Sequence, residues 1–187
     1  MPSPLDPSLE IRLVPQFEEP RFTRLAEQIF GDQSRHQLMT GRMPPEEQDG
    51  IRHLRSTLPP RERVRIGAFH GENLVGWCHG WFDGPAQFYM ANSAVLPDYR
   101  RQGVYSALVM AMVEEVGLRG VSKVFSHHVA TNNPVLIAKL KLGFVFSGMS
   151  FSEEMGMLVQ LSYFIYPERL SLYRERTTPL KATGHGD

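Results

Sequence analysis

The stretch "VLPDYRRQGVYSALV", Val95–Val109, decides how this chain folds. An apolar run leaves through Val-x-Pro, crosses two arginines and a glycine, and resumes as an apolar stripe at helical spacing. The preceding "QFYMANSAV" reads as a strand, so the sequence predicts strand, loop and helix in succession. Pro97 limits ladder pairing beyond this point, which leaves the main-chain groups of Val95 and Leu96 available to a ligand. After Gly103, the residues Val104, Ala107, Leu108, Ala111, Met112, Glu115 and Val116 follow the helical period, and Gly117 and Gly120 punctuate its end. A helix starting just past a strand aims free N–H groups and a partial positive charge outward, so an anion belongs there. Arg100 and Arg101 add charge-assisted donors worth about 1.5–3 kcal/mol each against a desolvated phosphate, and Gly103 lets the backbone approach without a Cβ. Ser106 adds a hydroxyl.

Working outward, "EIRLVP" predicts a first strand, and Phe22, Leu25, Ala26, Ile29 and Phe30 recur at helical spacing. A second helix runs through "PPEEQDGIRHLRSTL" and is stopped by Pro59. "VRIGAF", "NLVGWCHGWF" and "QFYMANSAV" form an antiparallel meander, with turn residues at His70–Asn73 and Asp83–Ala86. Beyond the central helix come the strand "KVFSHHV", the short helix "NNPVLIAKLKL" ended by Gly143, and the strand pair "FVFSGMSF" and "MGMLVQLSYFI". The order is βααβββαβαββ: an α/β (α+β) fold with a mixed, mostly antiparallel central sheet flanked by helices. One domain is expected over residues 10–176, between a Pro/Ser-rich mobile segment, 1–9, and a mobile tail, 177–187.

A chain of 187 residues suits one domain with a substantial core. Twenty Lys plus Arg offset twenty Asp plus Glu, which removes the usual electrostatic driver of nucleic-acid binding. Cys78 is the sole cysteine, so no intrachain disulfide forms, and with no signal-like N-terminus and no membrane-spanning run the expected setting is cytoplasmic. Cys78 among apolar neighbours reads as a small buried hydrophobe. Adjacent His127 and His128 point to opposite faces of a strand and cannot chelate one ion together, so no metal is expected.

"VLPDYRRQGVYSAL" together with "NNPVLIAKLKLGF" resembles the GNAT superfamily of acyl-CoA-dependent N-acetyltransferases, over most of the chain. The resemblance implies that the strand ending in Val-x-Pro splays from its neighbour. Acetyl-CoA, as co-substrate, would then pair its pantetheine arm with Val95 and Leu96 and its pyrophosphate with the loop and helix start, Arg100, Arg101, Gln102, Gly103, Val104, Tyr105 and Ser106. Tyr105 departs from the pattern, which has Gly or Ala there. Asn132 matches the position whose amide bonds the pantetheine, although an asparagine there also suits a simple helix cap. The implied activity moves an acetyl group to a primary amine of a small molecule or peptide, in a ternary complex without metal, nucleic acid or membrane; a silent coenzyme A module is the alternative.

An alkylammonium of pKa about 10 must lose a proton before it attacks, at a cost of about 4 kcal/mol near neutral pH. The family's usual Glu and Tyr catalysts correspond here to Tyr89 and Lys139. The candidates are therefore Tyr89 and His79, with His127 or His128 behind them and direct loss to water as the default route. Each also has a plain structural reading: Tyr89 as a core aromatic, and His79 as a packing neighbour of Trp77 and Trp81 on one strand face. The excess of aromatics, Trp77, Trp81, Phe82, Phe88 and Tyr89, points to an apolar or cationic acceptor. The long final strand offers an edge for a homodimer.

Overall fold

The computed structural model describes residues 5–31 and 41–177. Seven strands form one sheet: β1 (Leu9–Leu13), β2 (Arg63–His70), β3 (Asn73–Phe82), β4 (Gln87–Val95), β5 (Lys123–Val129), β6 (Val145–Ser152) and β7 (Gly156–Phe164), in spatial order β1-β2-β3-β4-β5-β7-β6. Every pairing is antiparallel except β4–β5. The helices are α1 (Arg21–Phe30), α2 (Pro45–Thr57), α3 (Val104–Leu118), α4 (Asn133–Lys141) and α5 (Pro167–Thr177). No helix among the described residues is long and apolar enough to cross a membrane.

The expected meander and central helix are present with nearly the expected bounds, because alternation and Pro/Gly punctuation are strong local signals there. α3 lies across β2, β3 and β4 and buries Val104, Leu108, Val109, Met112, Val113 and Val116. Its buried stripe is thus broader than expected and centred nearer Val109 and Val113, since it packs over the middle of the sheet rather than along a rim. On the other face, Phe22, Leu25, Ala26 and Ile29 of α1 pack over Phe17, Leu74, Trp77 and Ala94.

Three expectations are corrected. Residues 5–9 are not a free segment: Leu5 packs on the core, Leu9 is buried and starts β1, and the Asp6 carboxylate accepts bonds from the Ser8 N–H and hydroxyl. Residues 1–4 and 178–187 lie outside the described set. The order gains a helix, α5, opened by Pro167 and Glu168; its weak apolar pattern hid it. The final strand β7 is no edge, because it inserts between β5 and β6. β6 is the edge instead, with Phe146, Met149 and Phe151 exposed on it.

Candidate functional site

The sheet is split at its centre. β4 and β5 pair only at Gln87↔Lys123, Phe88↔Val124 and Tyr89↔Phe125, and beyond that rung they separate. A bulge helps to turn β4 away: Gly80 of β3 faces Met90 and His79 faces Asn92, leaving Ala91 as the extra residue. A Cβ on Gly80 would lie 2.0 Å from the Tyr89 carbonyl oxygen, so only glycine fits opposite this bend.

The strand still pairs with β3 to its end, where the Leu96 N–H donates to the Val75 carbonyl at 2.9 Å. That corrects the expectation of free groups on Leu96, since this N–H belongs to the β3 ladder. Backbone direction alternates along a strand, so the N–H groups of Ser93 and Val95 face the split. The Val95 carbonyl accepts from Arg100 Nε at 3.0 Å, which ties the loop to the strand end.

The loop itself is shaped for an anion. After a single 3₁₀ turn, Pro97–Tyr99, Arg101 has φ +62° and Gly103 φ +82°, both left-handed, while Gln102 between them is not. Such alternation of hand curls successive N–H groups around a common centre, the geometry of an anion-binding nest. A left-handed arginine costs about 1 kcal/mol, a strain typical of ligand sites. Gln102 Nε2 donates to the Asp98 carbonyl at 2.8 Å and braces the loop from within. α3 begins with no side-chain cap, so the N–H groups of Val104, Tyr105 and Ser106 have no intrahelical acceptor. Val104 turns its side chain into the core, Arg101 is exposed, and Ser106 is half-buried in the first turn. The Tyr105 hydroxyl is buried beside Ser93 and Cys78 without a well-formed hydrogen bond, and burial raises its pKa. An uncapped helix start and a nest at the same turn fit a ligand with a phosphate at this end.

Asn132 stands before α4 with its side chain exposed and making no cap bond, so of the two roles open to it the side-chain cap is absent and its amide is uncommitted to the helix. Across the split, Tyr89 lies on the last β4–β5 rung, its ring packed on Trp81, Phe125 and His127 at 4.9, 5.2 and 5.6 Å between centroids. Burial, aided by Asp83, raises its pKa, so the phenol keeps its proton. His79 sits further along the same face, edge-on to the stacked rings of Phe17 and Phe22. Burial first, then Arg63 and Arg65, lower its pKa to about 4, which makes it a weak base. Arg61 and Arg63 stand over Trp81 at 5.5 and 5.6 Å, so the protein's own cations use that ring, against the expectation that it welcomes a cationic acceptor. Trp77 spends its indole N–H on Asn92 at 2.7 Å and is fully buried.

On the opposite face of the split is a residue whose burial nothing in its own helix signals. Lys139 of α4 is 0% exposed, and its Nζ donates to Ser126 Oγ at 2.6 Å and to Met90 Sδ at 3.1 Å. Ser126 Oγ is in turn 2.9 Å from His128 Nε2. Ser126 and His128 share a strand face by simple alternation, which was legible; that α4 would deliver an ammonium to them was not. Burial lowers the Lys139 pKa from 10.5 to about 8, and burial with Lys139 and His127 lowers that of His128 to about 3. Cys78, also buried, is pushed up to about 12, as its apolar setting led us to expect of a packing residue. His127 turns away toward Tyr89, as alternation requires.

Because the unfolded chain binds more protons than the fold between pH 8 and 10.5, Lys139 lowers stability fully below about pH 8 and progressively less above it. Lys139→Met is expected to raise the unfolding free energy at neutral pH by about 1–3 kcal/mol. That advantage should shrink as pH rises toward 10.5, readable by urea unfolding at several pH values.

Three solved structures share the architecture. Ard1 from Thermoplasma volcanium is 18% identical, with a TM-score of 0.59 over 85% of this chain and 99% of that one. An IAA acetyltransferase from Bacillus cereus is 16% identical, with a TM-score of 0.59 over 84% and 99%. A GNAT-family acetyltransferase from Elizabethkingia anophelis, with acetyl-CoA bound, is 12% identical, with a TM-score of 0.58 over 86% and 100%. At these identities the likeness is one of fold. No curated protein sequence matches the chain. The model of the acetyltransferase (GNAT) family matches residues 26–144, from within α1 through the split, the loop and α4 to Phe144. With more than half of its length matched and the fold in agreement, this chain belongs to the GNAT acetyltransferase family.

Proposed function

We propose that the protein is an N-acetyltransferase that moves an acetyl group from acetyl-CoA to a primary amine of a small-molecule or peptide acceptor, by direct attack within a ternary complex. The observation that carries this reading is the β4–β5 split with an anion nest at its mouth. A structural neighbour with acetyl-CoA bound supports the choice of co-substrate. When bound, acetyl-CoA supplies a thioester carbonyl as electrophile. The residues for holding it are Arg101, Gly103 and the first N–H groups of α3 for the diphosphate, the inward N–H groups of Ser93 and Val95 for the arm, and the Asn132 amide. Arg100 and Gln102 act through the loop's shape, since each spends a side-chain donor on a carbonyl of the protein.

The acceptor approaches from the face of Tyr89, His127 and Phe125. Tyr89 retains its proton there and serves as a hydrogen-bond donor. His79 is too weakly basic to take the ammonium proton: the transfer is uphill by about six units from an amine of pKa about 10. Water is the better sink, and holding amine and thioester together supplies much of the acceleration.

Isothermal titration with acetyl-CoA should give saturable heat, and a panel of primary amines should then release free thiol. Absence of both heat and thermal shift overturns the reading. A coenzyme A binding module without turnover is the second reading, favoured by the occurrence of Tyr89 and Lys139 where the family's usual Glu and Tyr catalysts stand. Saturable cofactor binding with no thiol release across the panel selects it.

A further inference from the structure

We propose that the Lys139 ammonium is an anion site at the apex of the β4–β5 split, built to hold the sulfur of coenzyme A as a thiolate. This rests on the cofactor reading above and adds to it a residue, a charge state and a bound form of the product.

The argument begins from the donor count. A protonated lysine has three N–H donors and no acceptor capacity. Lys139 spends one on Ser126 Oγ and one on the weakly accepting sulfur of Met90, while its Nζ stands 4.6 Å from the centre of the Phe144 ring. Among the described residues it forms no ion pair with a carboxylate. A buried ammonium with a spare donor and no counter-ion is costly, and an anion arriving beside it relieves that cost.

Position selects the anion. Met90 and Ser126 are the residues immediately beyond the last β4–β5 rung, Tyr89↔Phe125, so the cation stands where the split opens. The loop at the other end serves a phosphate. Here a thioether and a phenyl ring surround the charge, an apolar and polarisable setting suited to a weakly hydrated sulfur anion.

The hydrogen-bond directions are consistent with this. Because the ammonium only donates, Ser126 Oγ accepts from it and is free to give its own hydrogen to His128 Nε2. His128 is therefore neutral at that nitrogen. When a coenzyme A thiol binds, the S–H bond breaks, the electron pair stays on sulfur, the proton leaves to solvent, and Lys139 keeps its three hydrogens. Among the described residues, the titratable groups that interact with the cation are Cys78 from β3 and His128 from β5; Tyr105 from α3 stands beside Cys78, and His127 lies on the far face of β5. Cys78 and Tyr105 are held as neutral acids and His128 as a neutral base, which leaves Lys139 as the charge that changes near pH 8.

Titration of the full-length protein with coenzyme A and with its desulfo analogue tests this. Below both pKa values, binding as the ion pair releases a proton, and above both it takes one up, so the preference for the thiol compound is bell-shaped in pH. With Lys139 at about 8 and a free thiol at about 8.5, the maximum falls near pH 8. Coenzyme A is expected to bind there roughly tenfold or more tighter than the desulfo analogue, with the gap closing at about two units to either side. Lys139→Met should remove the gap by weakening coenzyme A alone. Independently of that variant, Ser126→Ala should narrow the gap, and the ultraviolet absorbance of bound thiolate at neutral pH reads the charge state in the unaltered protein. Equal affinity for the two ligands, a gap that survives Lys139→Met, or a bound thiol without thiolate absorbance overturns this proposal and leaves the cofactor reading in place. Failure of both ligands to bind overturns that reading and this one together.

Discussion

Arg101→Ala combined with Gly103→Val is expected to weaken coenzyme A binding by about a hundredfold while the domain stays folded. The two changes remove different parts of one device. Arg101 brings an exposed guanidinium to the mouth of the split, and its left-handed backbone helps to form the nest. Gly103 at φ +82° is the last left-handed residue before α3, and a β-branched side chain there costs about 1–2 kcal/mol or pulls the turn out of shape. Either response misdirects the first N–H groups of the helix. Titration calorimetry gives the affinity, and circular dichroism melting shows whether the fold has been spared; an unchanged dissociation constant in a folded variant removes the nest from the cofactor site.

Gly80→Ala should act on the sheet itself, with a loss of about 3 kcal/mol or more in unfolding free energy. The new Cβ would meet the Tyr89 carbonyl oxygen at 2.0 Å and the Phe88 ring at 2.6 Å. A ring edge can rotate aside, but a backbone carbonyl in a paired strand cannot. Relief then requires β4 to shift where only Met90 separates its last rung with β5, at Tyr89, from its bulge at Ala91. Cofactor affinity should fall along with stability, because the same shift closes or misaligns the split. An unaltered urea midpoint would show that the bulge is not held as described.

These two positions divide what a reader of the sequence can see from what is hidden. Gly103 announces itself, since Pro97, two arginines, a glycine and an apolar helix within fifteen residues specify strand end, turn and helix start through local sterics alone. Gly80 does not. Its constraint comes from a bulge on a neighbouring strand, and nothing in "WCHGWF" shows which residue β4 will press against it. The same division runs through the candidate site. The alternation that turns His127 and His128 to opposite faces could be counted off, whereas the burial of the Tyr105 hydroxyl and the unusable basicity of His79 depend on what packs around them.

By itself, then, the sequence determined the succession of strands and helices from β1 to β7, the turn that links β4 to α3 and the kinship carried by two short blocks, because periodicity, proline and glycine act over a few bonds. Only the tertiary structure decided that β7 lies inside the sheet and β6 at its edge, that Leu96 spends its N–H on β3, and that Lys139 is buried at the apex of the split against Ser126 and Met90. These outcomes turn on which distant segments pair and on how much water the pairing removes from a charge, quantities that no local pattern carries.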